Sequence, residues 1–184
     1  MFLYFNPVIT YNCRMSSVKT KNITITALFL AMNIAMSSFG IPVPGGHLYL
    51  CDAVICLAAI LLNPMEAFVV GGIGSFLGDM IFYPLPMFVS LVTHGLQAVV
   101  ISLFSHRIMR DNQKAGAVIG VILGGIIMVT GYTLGKIFVY STYEYAMMKL
   151  PYEIAQAVLG GVIALVLCYN FGIQKLYLKM MNGE

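Results

Sequence analysis

The sequence predicts an all-α membrane protein of six transmembrane helices with both termini in the cytoplasm. Three observations predict it. Hydrophobic residues make up 60% of the 184-residue chain, charged residues only 9%, and the mean hydropathy is +0.90, whereas a soluble domain carries about a quarter charged residues. Apolar segments recur at roughly 22–41, 50–63, 66–84, 88–106, 115–140 and 151–173, and most approach the roughly 20 residues needed to cross a hydrocarbon core. Finally, with the N-terminus inside, Arg14, Lys19, Lys21, Arg107, Arg110, Lys114, Lys175 and Lys179 all fall on the cytoplasmic side, leaving Lys136 and Lys149 for the outer half. That bias fixes orientation.

Each segment follows from its residues. The first carries an alanine ladder, Ala27, Ala31 and Ala35, and small residues every fourth position let helices approach closely. The second is short, bounded by Asp52 and the Asn63–Pro64 break, and is expected to be tilted or partly embedded. The third, from Glu66, carries Gly74 and Gly78 beside Ser75 and Asp79. The fourth holds the run THGLQAVV from Thr93, and the fifth is glycine-rich, with Gly116, Gly120, Gly124, Gly131 and Gly135. The sixth starts at Pro151. Short connections make neighbours antiparallel, giving one six-helix domain over residues 16–184. Residues 1–15 form an N-terminal extension without a signal-peptide pattern or an assigned role.

Polar residues inside these segments converge on one level. The third helix ends outside with Ser75 and Asp79 on one face. The fourth begins outside with Ser90, Thr93, His94 and Gln97 at three- and four-residue spacings. The fifth brings Tyr132, Lys136 and Tyr140 into line, and the sixth starts with Tyr152, Glu153 and Gln156. His94 lies about seven residues, hence about 10 Å, into its helix. A lone residue of this kind ordinarily snorkels to the interface or makes a packing hydrogen bond. Four helices placing ionisable groups at the same depth point to a cavity. Its tyrosines suit a small, flat, polar ring. The outer loop IPVPGGHLYLCD (41–52) brings His47 and reads equally as an ordinary turn or as a lid, stiffened at Pro42 and Pro44 and hinged at Gly45–Gly46; FYPLPM (82–87) repeats the Pro-rich design.

Other functions leave no trace. There is no Walker A loop and no HExxH pair, and GIGSF (72–76) lacks the last glycine of a nucleophile elbow. No catalytic residue is assigned, and the chain is not expected to be an enzyme. Cys13, Cys51, Cys56 and Cys168 form no CxxC and read as free thiols rather than metal ligands. Seven acids against ten bases give no case for nucleic acid. The rival readings are an assembly or structural membrane protein without a small ligand and, less favoured, an intramembrane enzyme.

The helix-1 ladder, the loop GGHLYLCD, and GGIGSFLGDM (71–80) followed by THGLQAVV together resemble an S component. Such subunits bind the substrate of energy-coupling factor (ECF) vitamin transporters, and the likeness is to the hydroxymethylpyrimidine or pyridoxine branch. It covers roughly residues 16–180. The resemblance implies a vitamin or precursor held near the outer face by helices 4 to 6 and the outer loops. The candidate substrate-binding residues are His47, Asp79, His94, Gln97, Tyr132, Lys136, Tyr140, Glu153 and Gln156. It also implies a transmembrane coupling (T) component docked on Ala27, Ala31 and Ala35, and two cytoplasmic ATPases. ATP is used by those partners, and this chain is expected to bind no cofactor or metal. A bacterial cytoplasmic membrane is the implied location. Pyrimidine and pyridine rings both remain open, as does the role of Lys136.

Overall fold

The computed structural model describes residues 7–44 and 46–182, with side chains from Thr20 onward. The chain forms α1 (Pro7–Ser37), a hairpin of β1 (Gly40–Val43) and β2 (Gly46–Tyr49), and α2 (Cys51–Leu61). It continues through α3 (Pro64–Phe82), α4 (Met87–Ile108), α5 (Arg110–Tyr140), α6 (Tyr143–Asn170) and a terminal α7 (Ile173–Asn182). Among the described residues, α3 to α6 are long and apolar enough to cross a membrane, and α2 is a shorter apolar helix.

The short α2 is the centre of the molecule. Every residue from Cys51 to Leu61 is buried, which its all-round apolar sequence requires. Ile55, Leu62 and Ile101 are wholly covered in the core around it. The segment expected to be tilted or partly embedded is thus a post enclosed by its neighbours. Its C-terminal break is short because the Glu66 carboxylate accepts from Asn63 N at 3.1 Å, starting the next helix at Pro64.

Close approaches are made at glycines. A Cβ on Gly131 would lie 2.6 Å from Thr93 Oγ1, which presses α5 onto α4; one on Gly160 would lie 2.5 Å from Asp52 Cβ, which presses α6 onto α2. Helix α1 buries Ile25, Phe29, Asn33 and Ser37. Asn33 Nδ2 donates to Val70 O at 2.7 Å and to Ser75 Oγ at 3.3 Å, tying α1 to α3. The ladder Ala27, Ala31 and Ala35 lies exposed on the opposite side.

The structure departs from the expected detail at three points. First, the mostly helical fold carries one short hairpin: the outer loop pairs antiparallel, Gly40 opposite Tyr49 and Val43 opposite Gly46. Pro42 and Pro44 bar a helix there, so the backbone finds its partners across the strand pair. The hinge placed at Gly45–Gly46 falls partly on Gly45, outside the described residues. Second, α6 starts at Tyr143 rather than Pro151. Thr142 Oγ1 accepts from Tyr145 N at 3.4 Å, Glu144 favours the first turn, and Pro151 sits inside the helix. Third, α1 is continuous from Pro7, through most of the segment read as an extension; residues 1–6 lie outside the described ones.

Candidate functional site

A cavity of about 260 Å³ opens among the ends of α3 to α6 beneath the hairpin. Of the residues singled out from the sequence, His47, Asp79, His94, Tyr132, Lys136, Tyr140, Glu153 and Gln156 all line it. Gln97 does not; it stands behind His94. Tyr152 is likewise not among the lining residues. The wall also holds groups that sequence reasoning did not assign to the site: Tyr49 and Cys51 from the hairpin and α2, and Tyr145 and Lys149 from the first turns of α6.

The arrangement follows from helix period and direction. On α6 the buried positions Lys149, Glu153, Gln156 and Gly160 form one stripe, three to four residues apart. The stripe becomes visible once the helix starts at Tyr143. On α5, Lys136 and Tyr140 bracket a π-helical turn, a distortion often found at functional sites. Lys136 Nζ donates to Glu153 Oε1 in a buried ion pair between α5 and α6, and lies 5.2 Å from the centre of the Tyr132 ring. That distance suits a cation–π contact. Glu153 Oε2 is buried with no hydrogen-bond partner among the described residues.

A second cluster joins α3, α4 and α5. Ser90 Oγ donates to Asp79 Oδ2 and lies 2.5 Å from the Tyr132 hydroxyl. The Tyr132 ring packs edge-on against His94, with centroids 5.2 Å apart. The aromatic wall is therefore held by polar groups at its rim.

The deepest cluster is centred on Asp52, at the start of α2 and fully buried. Its Oδ1 accepts from Gln97 Nε2 at 3.0 Å and its Oδ2 from Gln156 Nε2 at 2.6 Å. Gln97 Oε1 lies 2.7 Å from His94 Nδ1, and Gln156 Oε1 accepts from Tyr49 N at 2.9 Å. A buried carboxylate is stable only when its oxygens are satisfied, and two glutamine amides meet that need here. Cys51, Asp52 and His94 also bring three potential metal-ligating atoms within 4.8 Å of one another. The Asp52 oxygens and His94 Nδ1 in that group are already engaged by amides.

Bonds that tie the hairpin to α6 include Tyr49 N donating to Gln156 Oε1 and Lys149 Nζ donating to His47 O at 2.7 Å. Burial raises the pKa of the Tyr49 phenol, and the Asp79 charge adds to this, so Tyr49 stays a neutral donor. Cys51, Cys56 and Cys168 are free and buried; Cys13 precedes the described side chains.

A multi-pass helical membrane protein with a small, mixed polar and aromatic cavity at one end is the architecture of a substrate-binding transport subunit. The sequence pattern of the ECF-type riboflavin transporter S component matches residues 17–172, and the chain belongs to that family. It is a protein of the cell membrane, and its family is one of transporters. The thiamine precursor transporter HmpT of Lactococcus lactis subsp. cremoris (strain MG1363) is 28% identical over 158 residues, spanning 83% of this chain and 89% of that protein. A protein from Pyrococcus woesei, described as an uncharacterized protein in the gap 3′ region, is 33% identical over 136 residues, spanning 72% of this chain and 88% of that one.

Proposed function

We propose that this S component captures a small ring vitamin or precursor of the hydroxymethylpyrimidine or pyridoxine class at the outer face. It then delivers the ligand through a complex with a T component and two cytoplasmic ATPases. The observation that carries the reading is the cavity: about 260 Å³, walled by Tyr132 and Tyr140, with His47, Asp79, His94, Lys136, Glu153 and Gln156 as directional polar groups. That volume suits one substituted ring. Riboflavin, with three fused rings and a ribityl arm, is considerably larger, so the volume favours the single ring. The thiamine precursor transporter among the relatives favours the pyrimidine over the pyridine.

In this reading the protein crosses the membrane six times with both termini cytoplasmic, and Ala27, Ala31 and Ala35 meet the T component. Cysteines introduced at positions 110 and 179 should resist external thiol reagents; external labelling at either site overturns the topology. For the ligand, the test is thermal unfolding of the purified chain with hydroxymethylpyrimidine, pyridoxine, thiamine and riboflavin. A compound bound only by the folded state raises the melting temperature, by an amount that grows with its concentration over Kd. The pyrimidine should give the largest rise. No response to any of the four would favour an assembly protein without a small ligand.

A further inference from the structure

We propose that Asp52 and Gln97, neither of which lines the cavity, fix the tautomer of His94 and so require the ligand to bring a hydrogen-bond donor to His94 Nε2. The inference rests on the cavity being the ligand site.

The chain of reasoning begins at a main-chain N–H, whose polarity cannot change. Tyr49 N donates to Gln156 Oε1. With its oxygen engaged there, the Gln156 amide presents its NH₂ on the other side, and it does so to Asp52 Oδ2. A carboxylate only accepts, so its second oxygen takes the NH₂ of Gln97. The Gln97 oxygen is left facing His94 Nδ1 at 2.7 Å. Two acceptors that close would repel, so Nδ1 carries the proton and donates it.

When the ring is neutral, a proton on Nδ1 leaves a lone pair on Nε2. Nδ1 faces Gln97 Oε1 at 2.7 Å and Asp52 Oδ1 at 3.8 Å, both on residues that do not line the cavity. The remaining edge of the ring is the one that reaches the cavity His94 lines, and no hydrogen bond among the described residues ends on Nε2. Tyr132 holds the ring edge-on. Glu153 Oε2 is a second unpartnered acceptor, on a side chain that is more than nine-tenths buried and lines the same cavity. The ligand class that meets both is a small ring carrying two donor groups, such as an amino and a hydroxyl substituent.

The tautomer is measured directly, without any ligand, by nitrogen NMR of the ¹⁵N-histidine-labelled protein, with His94→Phe used to assign the signals. A proton on Nδ1 and a bare Nε2 are expected; a proton on Nε2 overturns the proposal. Asp52→Asn supplies a readout that a merely structural role would not move. Because Tyr49 N holds Gln156 in place, the new NH₂ must face Gln97, whose amide then turns over and donates to Nδ1. The proton should move to Nε2, and an unchanged tautomer in a folded Asp52→Asn protein counts against the proposal. If that variant does not fold, the wild-type spectrum decides alone.

Calorimetry adds the ligand side, using hydroxymethylpyrimidine, its deoxy analogue and its N,N-dimethylamino analogue. One analogue should bind the wild type about ten- to hundredfold more weakly, the usual consequence of an unpaired buried acceptor, and should lose most of that disadvantage in Asp52→Asn. Equal binding of all three compounds overturns the donor requirement. If hydroxymethylpyrimidine does not bind the wild type, the pyrimidine reading of the function falls, and the spectra still decide the tautomer.

Discussion

Lys136 and Glu153 form an ion pair across α5 and α6, with their side chains 4% and 6% exposed. At such burial neither charge is hydrated, and each depends on the other. Removing one partner of a buried pair costs about 3–5 kcal/mol, because it strands the other charge, whereas replacing both with apolar groups is often neutral. Lys136→Met and Glu153→Leu should therefore each lower thermal stability sharply, and the double variant should recover most of it. Ligand affinity should stay low in all three. Measured by thermal unfolding and calorimetry, a double variant as unstable as the singles would show that the pair does not act as a unit.

Much of this site was legible in the sequence because polar residues in an apolar helix stand out against their surroundings. Asp79, His94, Lys136 and Glu153 each broke a hydrophobic run at the same depth, and all line one cavity. Gln97 had the same appearance and a different role. Its amide is taken up by Asp52 from a distant helix, a pairing that spacing within α4 cannot reveal. Lys149 was hidden for another reason. Pro151 reads locally as a helix start, yet it is accommodated inside α6, and the two turns before it bring Tyr145 and Lys149 to the cavity wall. The hairpin was hidden because its strands are four residues each and the first contains Pro42.

The contact between α6 and α2 sets a steric limit. A Cβ on Gly160 would stand 2.5 Å from Asp52 Cβ and 3.0 Å from the Asp52 backbone carbon, neither of which can move aside; one on Gly125 would meet only Ala157 Cβ at 3.6 Å. Gly160→Ala should destabilise by about 1–3 kcal/mol, the usual cost of overpacking, and should disturb the Asp52 hub. Gly125→Ala should be neutral or mildly stabilising, since alanine is the better helix former by about 1 kcal/mol. Equal melting temperatures for the two variants would mean that α6 shifts freely against α2.

The exposed ladder of Ala27, Ala31 and Ala35 separates assembly from ligand binding. These residues lie opposite the α1 face that packs on α3 through Asn33, so a large side chain there meets no part of this chain's core. Ala31→Trp should abolish co-purification with the T component and leave calorimetric affinity for the ligand within about twofold, far below the 1.4 kcal/mol that marks a tenfold change. Unimpaired co-purification would leave the ladder facing lipid alone.

Lys149 holds the hairpin by a single donated bond from its Nζ to His47 O at 2.7 Å, while Tyr49 N is held independently by Gln156. Loss of the Lys149 bond should loosen the strand pair over the cavity without dismantling it. Lys149→Met keeps the aliphatic stem and removes the donor, so the packing of that stem is largely retained. Its effect should fall on ligand release, because differences between related complexes lie mostly in the off-rate. A several-fold faster off-rate is expected, with the on-rate little changed and the melting temperature of the ligand-free protein nearly unaltered. Stopped-flow measurement of both rates checks it, and an off-rate equal to that of the wild type would show that the hairpin does not control escape from the cavity.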